Sequence, residues 1–228
     1  MRRIACLWLL PASLLPPCVG YQLKAAPAVF WVSDPILPGE TAMVIGEGFG
    51  EKPNVEVARL KDLNPTAPAA KPKTSPSDGQ IVQVYQADNN AVKFSIPASF
   101  KPGVFVYRIQ TASGERSGLL NAPQVWWVQG DRGEAGSPGG WLRAFGKCFS
   151  PTVAAAAEGD GKKRRSCLIL LRGPRVVRLS AETDGYSARA RLPGDLPVGD
   201  YQLFLHNGCG GDAAWSAPIS CVIEGSKP

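Results

Sequence analysis

Apolar and polar side chains alternate with period two at matching places in the two halves of the chain. In "VFVYRIQ" (104–110), Phe105, Tyr107 and Ile109 fall on one side, with Val106, Arg108 and Gln110 on the other. In "YQLFLH" (201–206), Tyr201, Leu203 and Leu205 repeat the inward set, with Gln202, Phe204 and His206 outward. Such alternation predicts half-buried antiparallel strands. Pro-Gly, Gly-Asp and Asn-Gly steps between the apolar runs are turn chemistry. Beyond the first 20 residues no stretch carries an amphipathic helical period. The 25 Gly and 21 Pro of the 228 residues suit many short strands. The predicted fold class is all-β. Only residues 61–80, "KDLNPTAPAAKPKTSPSDGQ", lose the period altogether, and they read as a long exposed excursion between two strands.

The alternation is repeated because the chain holds two copies of one unit. "PGETAMVIGEGF" (38–49) aligns without gaps on "PGGWLRAFGKCF" (138–149), matching Pro38, Gly39, Gly46 and Phe49 to Pro138, Gly139, Gly146 and Phe149. Cys148 stands where the first copy has Gly48. "IPASFKPGVFVYRI" (96–109) aligns on "LPGDLPVGDYQLFL" (192–205), and "VFWV" (29–32) on "VWWV" (125–128). Each unit spans roughly 95–105 residues, the size of one small β-sandwich. The expected organisation is a first module at 21–122, containing the 61–80 loop, and a second at 123–228. The boundary falls near 119–124, "LLNAPQ", and is short enough that the two should pack closely.

Residues 1–20, "MRRIACLWLLPASLLPPCVG", lie outside this repeat. A basic start at Arg2 and Arg3, a short apolar run and a small-residue exit are the marks of a cleavable signal peptide. The run is too short to span a bilayer, which takes roughly 20 residues. Pro17 before Cys18 argues against a lipoprotein anchor. The expected location is therefore secreted, cell-surface or periplasmic. In such a compartment the remaining cysteines, Cys148, Cys167, Cys209 and Cys221, read as disulfide candidates with open connectivity. Cys148 with Cys167 is one pairing that the strand ends would allow. No CxxC pair occurs and there is one histidine, so neither a metal site nor any cofactor is expected. The formal charge is +6, falling to +4 without Arg2 and Arg3. The dense run Lys162-Lys163-Arg164-Arg165 lacks interleaved aromatics and reads as a solvated hairpin tip. Nucleic acid is not an expected partner.

"DPILPGETAMVIGEGFG", "NVEVARL" and "PASFKPGVFVYRIQTASG" together resemble an IPT/TIG domain, an immunoglobulin-like fold. The likeness covers roughly 27–224 and implies two tandem immunoglobulin-like sandwiches. "APQVWWVQGD", "SPGGWLRAFGK" and "LPVGDYQLFLHNGCGGDAAWSAP" resemble more narrowly the N-terminal modules of secreted bacterial proteins carrying a pectate-lyase-type right-handed β-helix. That resemblance implies a setting in polysaccharide breakdown, with catalysis in a β-helix supplied by a partner or by a further C-terminal domain. It transfers no catalytic residue to these modules.

Chemical motifs do not contradict a non-catalytic reading. Ser137 lacks the glycine two positions earlier that a nucleophile elbow needs. "GEGFG" (46–50) has neither the spacing nor the following helix of a nucleotide loop. Asp131/Glu134 and Asp195/Asp200 sit in turn-like sequence. "LFLHNGCGG" (203–211) gathers His206, Asn207 and Cys209, yet its counterpart "YRIQTASGE" (107–115) has Gln110 in place of His206 and no cysteine. It reads as a hairpin turn with His206 outward. The tryptophans are the remaining candidates: Trp31, and above all Trp126, Trp127, Trp141 and Trp215, as possible sugar contacts. Trp126 and Trp127 are neighbours on one strand, so one should face outward, with packing between the modules the first expected cover for it. The expected function is a non-catalytic accessory pair that spaces or orients a carbohydrate-active β-helix partner. The alternative is a carbohydrate-binding module using exposed Trp.

Overall fold

The computed structural model describes residues 26–68, 76, 78–150 and 165–225. The expected leader and Lys162, Lys163 and Arg164 lie outside the described residues. Among the described residues nearly all regular structure is strand, with a short 3-10 turn at Gly211–Ala214. No described helix is long and apolar enough to cross a membrane.

In the first half, β1 (Ala28–Val32), β2 (Thr41–Glu47), β6 (Ala91–Ser95) and β5 (Val84–Ala87) form one sheet in the order β1-β2-β6-β5. Facing it are β4 (Gln80–Ile81), β3 (Asn54–Arg59), β7 (Phe105–Thr111) and β8 (Gly114–Leu120), in the order β4-β3-β7-β8. Val44, Phe94, Val57, Phe105, Tyr107 and Ile109 close the core between the two sheets.

The second half is built from β9 (Gln124–Gly130), β10 (Ala135–Gly136), β11 (Trp141–Lys147), β12 (Arg165–Arg172), β13 (Val176–Thr183), β14 (Ser187–Arg191), β15 (Gly199–His206) and β16 (Ile219–Ile223). They form one ladder, β10-β16-β15-β12-β13-β14-β11-β9. Leu142 and Ala188 meet Ile169, Leu203 and Ile223 across its core. β13 carries the ladder round the corner, pairing with β12 along its length and with β14 at Glu182 and Thr183. In the first half that corner is broken into β4, paired with β3, and β5, paired with β6. Both halves are immunoglobulin-like β-sandwiches of mostly antiparallel strands: the alternation predicted the strands, and the family resemblance implied the immunoglobulin-like form. Tyr201 supports this with a tyrosine corner, its hydroxyl donating to the Pro197 carbonyl at 2.9 Å.

The repeated glycines do the same job twice. Gly39 and Gly139 hold φ of 87° and 79°, left-handed values that favour glycine, in the turns before β2 and β11. At Gly46 a Cβ would lie 1.9 Å from the Ala28 carbonyl oxygen, and at Gly146 1.8 Å from that of Gln124. Both positions let the first strand of a sandwich close on the second. Cys148, in place of Gly48, keeps the left-handed backbone with φ 60°.

The halves meet through a polar junction. Asn121, 2 % exposed with φ 64°, exchanges hydrogen bonds with the backbone of Ile36 and donates a third to the Gly103 carbonyl. From the second sandwich, Asn207 Nδ2 donates to the carbonyls of Asn121 (3.0 Å) and Cys148 (2.9 Å). Lys147 pairs with Asp34, whose side chain is 1 % exposed. The start of the 61–80 excursion is exposed, as expected, but it is also tied down. Thr66 N–H donates to Asp212 at 2.5 Å, and Leu63 lies beside Gly211. A loop without apolar period thus finds its partners across the junction.

Two expectations fail in this region. His206 and Phe204, assigned to the outward face of β15, are buried at 0 % and 8 %. The turn after β15 folds back over that face, so that Trp215 packs on Phe204 and Leu170 and meets the His206 ring edge-on at 5.0 Å. The four cysteines, expected in disulfides, are free thiols. Cys221 pairs in register with Tyr201, whereas Cys167 precedes the pair Leu168↔His206. That offset is about 20 Å along β15, far beyond disulfide reach. Burial and the nearby Asp34 carboxylate push the Cys148 thiol up to about 12. Burial and Asp62 push that of Cys209 up to about 11. Cys167 and Cys221 are raised to about 12 by burial, so none of the four has the thiolate character of a reactive cysteine.

Candidate functional site

Adjacent residues on a regular strand face opposite ways. Trp126 and Trp127 nevertheless are both exposed, at 60 % and 50 %. The register explains it: Trp127 pairs with Phe145 and Val125 with Gly146, leaving Trp126 as the extra residue of a β-bulge. The first sandwich has the same device. Trp31 pairs with Ile45 and Val29 with Gly46, so Phe30 is the bulged residue, and Phe30 and Trp31 are exposed at 67 % and 46 %. Each sandwich therefore presents an aromatic pair from its first strand. The expected cover for the outward Trp ring, packing between the modules, is absent for both rings of the second pair. Period-two reading could not foresee this, because a bulge resets the period.

The second pair continues into a face. Trp127 stacks on Phe145 with ring centroids 4.1 Å apart and planes 7° from parallel. Phe145, Arg143 and Trp141 alternate outward along β11, while Leu142, Ala144 and Gly146 fill the core. Across from them on β14 stand Ser187, Arg189 and Arg191, in the register Phe145↔Ser187, Arg143↔Arg189 and Trp141↔Arg191. The Arg189 guanidinium lies 4.6 Å from the centre of the Trp141 ring, and that of Arg143 lies 5.9 Å from the Phe145 ring. These contacts hold two long cationic side chains in place. A groove of about 550 Å³ opens over the end of this face that carries Trp141, Arg143, Arg189 and Arg191, bordered also by Ser180 and Glu182 of β13.

Trp141, a sugar-contact candidate from the sequence, lies half-buried on this outward face beside the other aromatics. Asp131 fixes its backbone. One Asp131 oxygen accepts from the Ser137 and Trp141 amides at 2.9 and 3.1 Å, and the other from the Ser137 hydroxyl. Ser137 and Asp131 are thus a turn clamp. Asp195 is likewise engaged with Arg175 at 2.9 Å. Trp215 is not a surface candidate: it is 8 % exposed and belongs to the cluster with Phe204. The sequence reading missed Phe145, Arg143, Arg189 and Arg191. The signal was present in "WLRAFGK" and "SARAR", whose small or apolar inward residues mark the alternate set as outward.

The face is electrostatically unfinished. Arg143 and Arg189 are direct cross-strand partners, with Cβ atoms about 5 Å apart, and like charges so placed repel. Among the described residues neither forms an ion pair, and Arg143 Nε is buried without a hydrogen-bond partner. An unmet buried donor on a charged group costs about 1–3 kcal/mol or more. The carboxylate across from Arg189 on its other side is Glu182 of β13, while Asp184, at the groove's rim, is not aimed at the arginines. Its Oδ1 accepts from the amides of Tyr186 (2.9 Å) and Ser187 (2.6 Å), closing its own turn.

His206 is structural. Gly208 N–H donates to Nδ1 at 3.0 Å, so Nε2 carries the proton to the Gly211 carbonyl at 2.9 Å. Burial pulls its pKa below the usual value, against the opposing pull of Gly211, Asp212 and Asp62. The unfolded chain therefore takes up a proton first as pH falls through about 6.5. Stability is full above that pH and declines toward the folded pKa, by up to about 1.4 kcal/mol per pH unit. As the chain has a single histidine, His206→Gln is expected to flatten the slope of urea-measured stability between about pH 6.5 and pH 5. An unaltered slope would place the proton uptake elsewhere.

No family model matches the chain, and no curated protein matches it. Solved structures do resemble it in architecture. A Bacteroides ovatus mixed-linkage glucan utilization locus SGBP-B, in complex with a mixed-linkage heptasaccharide, is 14 % identical with a TM-score of 0.28. The match covers 83 % of this chain and 42 % of that one, so the chain spans less than half the length of that protein. A chimeric titin Z1Z2 tandem is 14 % identical over 88 % of this chain and 100 % of its own, with a TM-score of 0.29. The IG1+IG2 pair of DIP-gamma is 15 % identical over 89 % and 98 %, with a TM-score of 0.25.

Proposed function

We propose that the chain is a non-catalytic, exported polysaccharide-binding module pair, acting as an accessory to a carbohydrate-active partner. The observation that carries this is the bulge-exposed pair Trp126/Trp127, extended by the stacked Phe145. Rigid aromatic rings offered to solvent on a sheet are suited to the apolar faces of pyranose rings, whose burial against them gains hydrophobic and dispersion energy. The polar junction at Asn121, Asn207 and Lys147 supports the spacing and orienting role, since it joins residues 21–122 to 123–228 through buried groups. The resemblance to modules that precede a pectate-lyase-type β-helix names one fitting partner. Export by residues 1–20 would put the pair where polysaccharide is found, and thiols held protonated, three of them buried, would tolerate an oxidising compartment.

Affinity electrophoresis of the full chain through gels containing different polysaccharides tests the reading. At least one should retard it, and Trp127→Ala should weaken that retardation about 10-fold, the equivalent of roughly 1.4 kcal/mol of lost ring contact. Mobility unaffected by every polysaccharide, or equal in the Trp126→Ala/Trp127→Ala double variant, would sink it.

A further inference from the structure

We infer that the outer face of the second sandwich selects polysaccharides built from uronic acids, meeting their ring carboxylates with Arg143, Arg189 and Arg191. This rests on the polysaccharide-binding reading above and adds the class of sugar. The first sandwich acts as an internal control. Its β2 and β6 pair in the same register as β11 and β14, yet Thr41, Met43, Ser95 and Lys93 occupy the places of Trp141, Arg143, Arg191 and Arg189. Its one cation of the four, Lys93, is hydrogen-bonded to Gln86 at 3.0 Å. The scaffold therefore does not need three arginines there.

In the second sandwich the three share one face, with Arg143 set against Arg189 despite their repulsion and Glu182 of β13 on the other side of Arg189. Two are braced on aromatic rings, and the buried Nε of Arg143 lacks a partner. An anion in the groove offsets this crowding of cations. A guanidinium fork matches a planar carboxylate in two parallel hydrogen bonds. A sugar ring resting on Trp127 and Phe145 would bring a ring substituent alongside Arg143, since Phe145 and Arg143 are next neighbours on one face of β11. A uronate carries both groups in one residue.

The probe is polygalacturonate, because methyl esterification removes its charge and leaves its backbone. The full chain should bind polygalacturonate and alginate about 10-fold or more tighter than the methyl ester, with binding weakened by salt. Arg189→Gln and Arg191→Gln should each lose about 10-fold toward the acid form and nothing toward the ester, while melting like the parent. Equal binding of acid and ester, with Trp127→Ala weakening both, would overturn the uronate inference and leave polysaccharide binding standing. Failure of every polysaccharide would remove both. Tighter binding of dextran sulfate or of a single-stranded oligonucleotide than of polygalacturonate would also overturn it, by assigning the arginines to another anion.

Discussion

Gly146→Ala is expected to be among the most damaging single substitutions in this chain. The added Cβ would sit 1.8 Å from the Gln124 carbonyl oxygen and 2.9 Å from the Phe149 ring. A ring can shift; the carbonyl belongs to β9, which the ladder holds against β11 on both sides of the bulge. Relief requires β9 to lift from the sheet edge, breaking its pairing and opening the core beside Val125 and Val128. Overpacking usually costs about 1–3 kcal/mol, and a clash with backbone belongs at or above the top of that range. At about 4–8 °C per kcal/mol for a sandwich of this size, calorimetry should show a fall of more than about 10 °C. Gly46→Ala should behave alike in the first sandwich, because its Cβ meets the Ala28 carbonyl at 1.9 Å. Melting within about 2 °C of the parent would mean that β9 yields at little cost. The same displacement should also abolish polysaccharide retardation, since the bulge that exposes Trp126 and Trp127 exists only while β9 is docked.

Those two glycines also mark what could be read from the chain without a structure. Matched Gly46 and Gly146, matched Pro-Gly turns and matched alternation in β7 and β15 each have a local cause, so they leave a local trace. The all-β class and the repeat were legible for that reason. The rest depended on contacts distant in sequence. His206 falls on the outward set of β15, but the chain returns over it nine residues later and buries it under Trp215. Cys167 and Cys221 are an even pair by count and about 20 Å apart by register. The bulge at Trp126 is visible only when β11 supplies the partner register. Arg143 and Arg189 lie 46 positions apart, and nothing local says that they face each other. A face assembled from four strands is thus spelled in fragments, each with an ordinary alternation.

Lys147→Met is expected to uncouple the two sandwiches. The Lys147 ammonium is the charge partner of Asp34, whose side chain is 1 % exposed and also accepts from Asn121 N–H at 3.2 Å. Breaking a buried pair by removing one partner typically costs about 3–5 kcal/mol, because the remaining charge stays desolvated. Here the molecule has a cheaper escape, which is to open the junction and let water reach Asp34. That route gives up the hydrogen bond of Asn207 to the Asn121 carbonyl and the Asp62 bond to Gly210 N–H. The expected calorimetric outcome is therefore a single transition in the parent and two in the variant, the lower one displaced by more than about 10 °C. Adding Asp34→Asn removes the stranded charge and keeps an oxygen for the Asn121 amide, so the double variant should recover more than half the loss. A parent-like melt for Lys147→Met, or no recovery in the double variant, would show that the pair does not hold the junction. The outcome bears on binding as well. Lys147 ends the same outward row of β11 that carries Trp141, Arg143 and Phe145, so the junction fixes where that row points relative to the first sandwich. With the junction open, the two aromatic pairs would no longer be held in one orientation. A long polysaccharide spanning both should then lose affinity in Lys147→Met, while a short oligosaccharide confined to the second face should bind as before.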